Sequence, residues 1–360
     1  MAMGDSQMSK EFKTLEIGRR DFMKTTAAAT VAGTVMMASQ NKVGPNRVLA
    51  ADGLDHRNER PDKMKYNKLG RTNFMCSALT FGGGAALTGG KAVRLLERAF
   101  EEGVNHFDIG TDVYYKGAER ALAPFLKKHR DEVWVTSKAF ARSGMGLDPS
   151  FKYTAEIAKA DAEYWTFLLE ASLKDQQQDY IDAYYLMGVG DPQAVASEEL
   201  YSAFTKAKEA GKIGHFGIST HKRAAECLEA AIECGWHSLA MIAITPGGWY
   251  DWDSKSLLEG TADMKALRPV LDRAREAGIG LVGMKAGRFI APGTALGKGD
   301  ETAFDQFYSK EYIKSPFSPF QRSYAFVLEN GMDTVNADMQ NFKHFEENLI
   351  AARDSSKHYA

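Results

Sequence analysis

The sequence predicts an α/β fold, a single (β/α)8 TIM barrel preceded by a β-hairpin, and three observations carry that prediction. One phrase recurs: an amphipathic helix, a terminating glycine, then a short apolar strand. The strands read as continuous apolar runs, which suits parallel strands covered on both faces. Eight such units fit into about 290 residues, the usual size of this barrel. Gly103, Gly211, Gly235, Gly278 and Gly331 punctuate the repeats, where a left-handed residue closes a helix at least cost as glycine.

In chain order, residues 65–74 read as a hairpin turning at Leu69-Gly70-Arg71-Thr72, placed to plug the bottom of the barrel. Strand 1 is predicted over 76–81. A helix marked by Val93, Leu96 and Phe100 leads to strand 2, ending at Asp108. Strands 3 and 4 are the runs 133–137 and 180–186. The helix with Leu200, Ala203, Phe204 and Ala207 feeds strand 5 at 213–219, and strand 6 is 239–244. Leu267, Leu271 and Ala274 mark the helix before strand 7 (281–284), and 334–336 is strand 8. A doubly wound open sheet is the alternative, but Phe81-Gly82-Gly83-Gly84-Ala85 lacks the glycine spacing of a dinucleotide-binding turn.

Composition excludes other classes. With 45 Lys+Arg against 47 Asp+Glu and a formal charge of −2, the 360-residue chain has no basic field for nucleic acid. Its longest apolar-leaning run, residues 25–38, falls short of the roughly 20 residues of a membrane span. Cys227 and Cys234 lie on one predicted helix and Cys76 on a distant strand, a pattern unsuited to disulfides or a thiolate metal site. The eight histidines form no evident ligand cluster for a metal-dependent barrel hydrolase.

Residues 1–50 are set apart by seven Lys/Arg against four Asp/Glu. Gly18-Arg19-Arg20-Asp21-Phe22-Met23-Lys24, followed by an Ala/Thr-rich stretch, resembles a twin-arginine (Tat) signal peptide. The domain reading is therefore signal peptide 1–50, linker 51–63, barrel 64–353 and C-terminal tail 354–360. The resemblance implies export of the folded chain through the Tat machinery to the periplasm, with no stable membrane insertion after processing. It also hints at a cofactor carried out with the protein.

In such a barrel chemistry sits where strands end. Those ends present Asp108 with Tyr114 and Tyr115 in the following loop, then Lys138, Met187, Ser219 and Thr220, Thr245, Lys285 and Asp338. An ammonium beside a phenol favours the phenolate and turns a tyrosine into a usable acid, while a carboxylate holds the lysine charged. His106 reads as a satisfied core histidine, and His215 lies at the opposite, stability face.

Leu69-Gly70-Arg71-Thr72, Phe107-Asp108, Val135-Thr136-Ser137-Lys138 and Asp179-Tyr180-Ile181-Asp182-Ala183-Tyr184-Tyr185-Leu186 resemble the aldo/keto reductase superfamily. So do Gly217-Ile218-Ser219-Thr220 and Phe345-Glu346-Glu347-Asn348-Leu349-Ile350-Ala351-Ala352. The resemblance implies an NADP(H)-dependent barrel, with NAD(H) as the alternative, reducing a small-molecule carbonyl or oxidising an alcohol. Asp108 and Lys138 take the places of the family's catalytic aspartate and lysine. With a one-residue insertion Tyr114 takes that of its tyrosine and would give the proton, and Tyr115 is the alternative. Ser219, Thr220, Thr245 and Lys285 are implied at the nicotinamide end of the cofactor, and Asp338, Lys343, Glu347 and Asn348 at its adenosine end.

Two departures stand out. Met187 occupies the place of the family's histidine, and methionine offers no N–H to a substrate carbonyl. Met284 stands where many members stack a tyrosine. Trp249, Tyr250 and Trp252 are candidates for an aromatic substrate wall. Hence the leading reading is an exported NAD(P)(H)-dependent oxidoreductase. The alternative is a reductase-like protein that binds a nucleotide or other ligand without turnover.

Overall fold

The computed structural model describes residues 50–141, 152–291 and 298–359; the predicted signal segment lies outside them. β1 (Tyr66–Lys68) and β2 (Met75–Ser77) pair antiparallel as the predicted hairpin, joined through a 3-10 turn at Gly70–Thr72. The barrel is built from β3 (Leu79–Gly82), β4 (His106–Asp108), β5 (Trp134–Phe140), β6 (Ile181–Met187), β7 (Ile213–Thr220) and β8 (Leu239–Thr245). After β8 the chain turns back through β9 (Gly248–Asp251) and β10 (Ser256–Leu257), then completes the ring with β11 (Gly280–Met284) and β12 (Thr334–Asp338). All eight barrel strands are parallel, and the β12–β3 and β7–β8 pairings close the ring. Closure removes the open sheet edges that a doubly wound fold would keep. The five punctuating glycines have φ between +71° and +121°, the conformation that their place after each helix requires.

The predicted first strand splits in two. Ser77 Oγ donates to Leu79 O at 2.7 Å and Ala78 N to Lys65 O at 2.8 Å, so the chain bends between the hairpin strand and the barrel strand. Cys76 therefore belongs to the hairpin. Inside the barrel Leu69, Phe74, Trp134, Tyr185, Met241 and Val282 form one apolar cluster, and the alternate residues Tyr184, Leu186, Phe216, Ile218 and Ile242 face the helices. Each such side chain contributes about 1.5–3 kcal/mol on burial. The hairpin turn enters the bottom of the ring: Gly70 (φ +54°) lies so close to Gly280 N that any Cβ would collide with it.

The segment 51–63, read as a linker, packs against the barrel. Arg57, 5% exposed, pairs with Asp55 at 2.6 Å and Asp182 at 2.9 Å, donates to Val133 O at 2.7 Å and covers the rings of Phe74 and Trp134. The tail is docked as well, with Asn330 Nδ2 donating to Tyr359 Oη at 2.9 Å. Among the described residues no helix is long and apolar enough to cross a membrane, and no group of three His, Cys, Asp or Glu is placed to hold a metal ion.

His106 is fully buried in the lumen. Its Nε2 pairs with Thr136 Oγ1 at 2.8 Å and its Nδ1 with Thr80 Oγ1 at 2.9 Å. Burial pushes it down to about 3, and His215 and His237 to about 4. The unfolded chain binds these protons below about pH 6.5 while the folded chain refuses them, so stability falls as pH drops from about 6.5 toward 4. Each histidine contributes up to about 1.4 kcal/mol per pH unit. Asp333, lifted by burial to about 6, acts oppositely and offsets one of them. Urea midpoints at pH 7, 5.5 and 4.5 should fall steadily, and less steeply in His106→Gln; midpoints constant to pH 4.5 would contradict this account.

Candidate active site

Side chains on alternate residues of each strand point into the lumen, and this register delivers the site. Asp108 is two residues after His106 on β4, and Lys138 two after Thr136 on β5. Lys138 Nζ lies 2.5 Å from Asp108 Oδ2 and also donates to Ile109 O, with both side chains at most 5% exposed. Asn336, on β12, donates through Nδ2 to the same Oδ2 at 2.6 Å. Asp108 Oδ1 has no hydrogen-bond partner among the described residues. Burial pushes the Asp108 carboxyl above the usual range, and the Lys138 ammonium and the Asn336 amide pull it only part of the way back.

The two candidate phenols differ in their surroundings. Both belong to the short helix Asp112–Tyr115. The Tyr115 ring is sandwiched between two glycines: a Cβ on Gly84 would stand 2.7 Å from it, and one on Gly110 would stand 2.6 Å from it and 3.2 Å from Lys138 Cγ. Tyr115 thus borders the lysine stem. Tyr114 instead packs edge-on against Tyr115, with centroids 4.7 Å apart, and against Phe140 at 5.3 Å.

Of the other predicted residues, Met187 ends β6 at 5% exposure, in register with Ser219 on β7. Ser219 is buried. Thr220 is spent on its own turn, donating to Lys222 O at 2.7 Å. Thr245 likewise closes the turn into β9, donating to Gly248 O and accepting from Gly247 N, each at 3.2 Å. Lys285 follows β11 on left-handed backbone (φ +73°) with its ammonium 5.1 Å from the Trp252 ring centre. Asp338 is the last residue of β12. Lys343 and Glu347 line a cavity of about 350 Å³ with Gln321, Phe342, Glu346 and Ile350, on the helix Phe342–Arg353. Asn348, 6% exposed, is buried on that helix. The aromatic loop divides: Trp249 joins the outer core, Tyr250 the inner cluster, and Trp252 stays half-buried at the mouth.

Sequence reasoning missed Asn336 as a partner of Asp108. It also missed Tyr185, fully buried in the lumen, which feels the Asp108 charge. The available signal was an amide at an inward register position of an otherwise apolar strand. Replacing Asp108 with Asn strands a buried ammonium, so D108N should lose about 3–5 kcal/mol. The double variant D108N/K138M should recover most of that in urea unfolding; a D108N variant as stable as the parent would show the pair to be solvated.

Comparison with known proteins agrees with this geometry. Residues 78–251 match the model of the aldo/keto reductase family. The uncharacterized oxidoreductase YqkF of Bacillus subtilis is 29% identical over 164 residues, 44% of this chain and 49% of that protein. The L-glyceraldehyde 3-phosphate reductase of Escherichia coli K12 is 28% identical over 175 residues, 45% of this chain and 47% of that protein. The match thus spans about half the length of these curated relatives. A putative aldo-keto reductase from Pseudomonas aeruginosa superposes with a TM-score of 0.56 at 20% identity, covering 81% of this chain and 96% of that one. The holo form of an aldo-keto reductase from Bacillus halodurans gives 0.57 at 21% identity, covering 80% and 90%. Closed barrel, paired lysine and aspartate at adjacent strand ends, and matched segment lead to one conclusion: over residues 78–251 this chain is similar to the aldo/keto reductase family.

Proposed function

We propose that the protein is an exported NAD(P)(H)-dependent oxidoreductase acting on an aldehyde, ketone or sugar-like carbonyl, or on the corresponding alcohol. The observation that carries this reading is the buried Lys138–Asp108 pair with the Tyr115 ring against the lysine stem. The residues present fit a dinucleotide. The cavity over Lys343 and Glu347 suits an adenosine end, and Ser219 with Met284, 7% exposed, suits a wall for the nicotinamide. A bound nicotinamide supplies or accepts the hydride. The Lys138 ammonium is placed to favour the phenolate of Tyr115 as it gives up its proton. Asp108 and Asn336 fix that ammonium in place. Tyr115 then gives its proton to the carbonyl oxygen in reduction and recovers it in oxidation. Met187 leaves the oxygen one donor short, a loss of about 10²–10³ in rate where such a donor is normally present.

The named relatives, one an oxidoreductase and one a reductase of a small aldehyde, support this class of reaction. The twin-arginine segment supports periplasmic export in the folded state, with the cofactor already aboard. NADP(H) and NAD(H) both remain within the reading, since Lys343 stands beside Glu346 and Glu347 in the adenosine cavity.

General acid catalysis contributes about 10²–10⁴ in rate, so Tyr115→Phe should lose at least a hundredfold in kcat while NADPH fluorescence titration shows unchanged binding. Tyr114→Phe should stay within tenfold; the reverse pattern would assign the proton to Tyr114. Met187→His should raise the rate. Nucleotide binding without turnover of any carbonyl or alcohol would favour the non-catalytic reading, and no nucleotide binding up to millimolar concentration would end the proposal.

A further inference from the structure

The helix that carries both candidate phenols, Asp112–Tyr115, is a single turn, too short to hold its own conformation in water. Something outside it must fix where the Tyr115 ring stands against the Lys138 stem. Glu119, fully buried in the first turn of the helix Ala118–His129, is placed to do so. Its Oε2 accepts from Asp112 N at 3.2 Å, and Asp112 Oδ1 accepts in turn from Glu119 N at 2.7 Å. This reciprocal pair closes the loop through Lys116 and Gly117, both on left-handed backbone (φ +44° and +92°). The other carboxylate oxygen reaches the barrel. Oε1 accepts from Ser137 Oγ at 2.6 Å and, at 2.8 Å, from Nε2 of Gln176, the last residue of the helix Ala155–Gln176. Ser137 immediately precedes Lys138 on β5, so its side chain leaves the opposite face of the strand. One carboxylate therefore joins the first amide of the tyrosine turn to the residue next to the lysine. A backbone bond makes the second tie: Thr111 N donates to Lys138 O at 3.1 Å, and Tyr115 N to Thr111 O at 3.0 Å. Keeping a carboxyl in this place is costly. Burial pushes Glu119 above its usual range, and Ser137, Ser172 and Gln176 pull it back only in part. An apolar side chain would fill the same space without that cost, but it could accept neither bond.

Building on the oxidoreductase reading, we infer that Glu119 is a positioning residue for the proton transfer, which through Asp112 N and Ser137 Oγ sets where the Tyr115 hydroxyl stands relative to the Lys138 ammonium. It acts through Tyr115 and not on the substrate.

Misplacing a catalytic group by about 1 Å can cost 10²-fold in rate, so Glu119→Ala should lower kcat at least about tenfold while NADPH affinity stays within about twofold. Glu119→Gln should restore most of the rate. Its amide oxygen can accept from Asp112 N while its NH2 donates to Ser137 Oγ and to Gln176 Oε1, an atom without a hydrogen-bond partner among the described residues. A double-mutant cycle separates positioning from plain stability: Glu119→Ala should slow the parent but leave Tyr115→Phe no slower than it already is. An equal fall in both backgrounds overturns the inference, as does a Glu119→Ala kcat within about twofold of the parent. Hydrogen exchange gives a readout without turnover. The amides of residues 111–117 should exchange at least about tenfold faster in Glu119→Ala than in the parent, and near the parent rate in Glu119→Gln; unchanged exchange overturns the inference. If Glu119→Ala does not fold, Ser137→Ala, which removes only the bond to β5, carries the same cycle, with a fall of at least about threefold expected in the parent background alone. A parent inactive on every carbonyl and alcohol counts against the oxidoreductase reading, whereas an active parent whose exchange ignores Glu119→Ala counts against Glu119 alone.

Discussion

The structure turns on a charge pair kept dry inside a closed ring of strands. Taking an ammonium and a carboxylate out of water costs several kcal/mol per ion, and only good geometry with further hydrogen bonds repays it. Asp108 and Lys138 meet that condition through Asn336 and the carbonyl of Ile109. The layers beneath meet the rest of it. Thr334, Thr80, His106 and Thr136 form a continuous hydrogen-bonded row across the lumen, and below them Leu69 and Phe74 of the hairpin seal the floor. A leak at the floor would raise the local dielectric and weaken the attraction within the pair. Plug and buried pair are thus parts of one electrostatic arrangement.

The floor uses a similar device. Asp182, fully buried on β6, is paired with Arg57 and with Arg130, each at 2.9 Å, and its carboxyl stays below the usual range because these two charges outweigh its burial. Asp108 moves the other way, having one cation where Asp182 has two. One carboxylate is a firmly ionised anchor, and the other is held higher by its burial. Arg57 also explains why the segment before the hairpin packs against the barrel: one buried side chain with three partners fixes a stretch whose composition otherwise reads as a linker.

Much of the fold was legible because helix, glycine and apolar strand repeat with fixed physical meaning. Strand ends were legible as a site because polar residues there interrupt apolar runs. What stayed hidden depends on side-chain direction. Thr220 and Thr245 look like ligand contacts in the sequence, yet each hydroxyl is spent on the turn beside it, a competition local to the backbone. Asn336 looked like a strand residue on the way to a nucleotide site, and only ring closure brings β12 within reach of β4. The choice between Tyr114 and Tyr115 also turns on space, since the Tyr115 ring lies against Gly84 and Gly110, and Gly110 in turn against the Lys138 stem. Spacing from Asp108 favoured Tyr114, one insertion away from register.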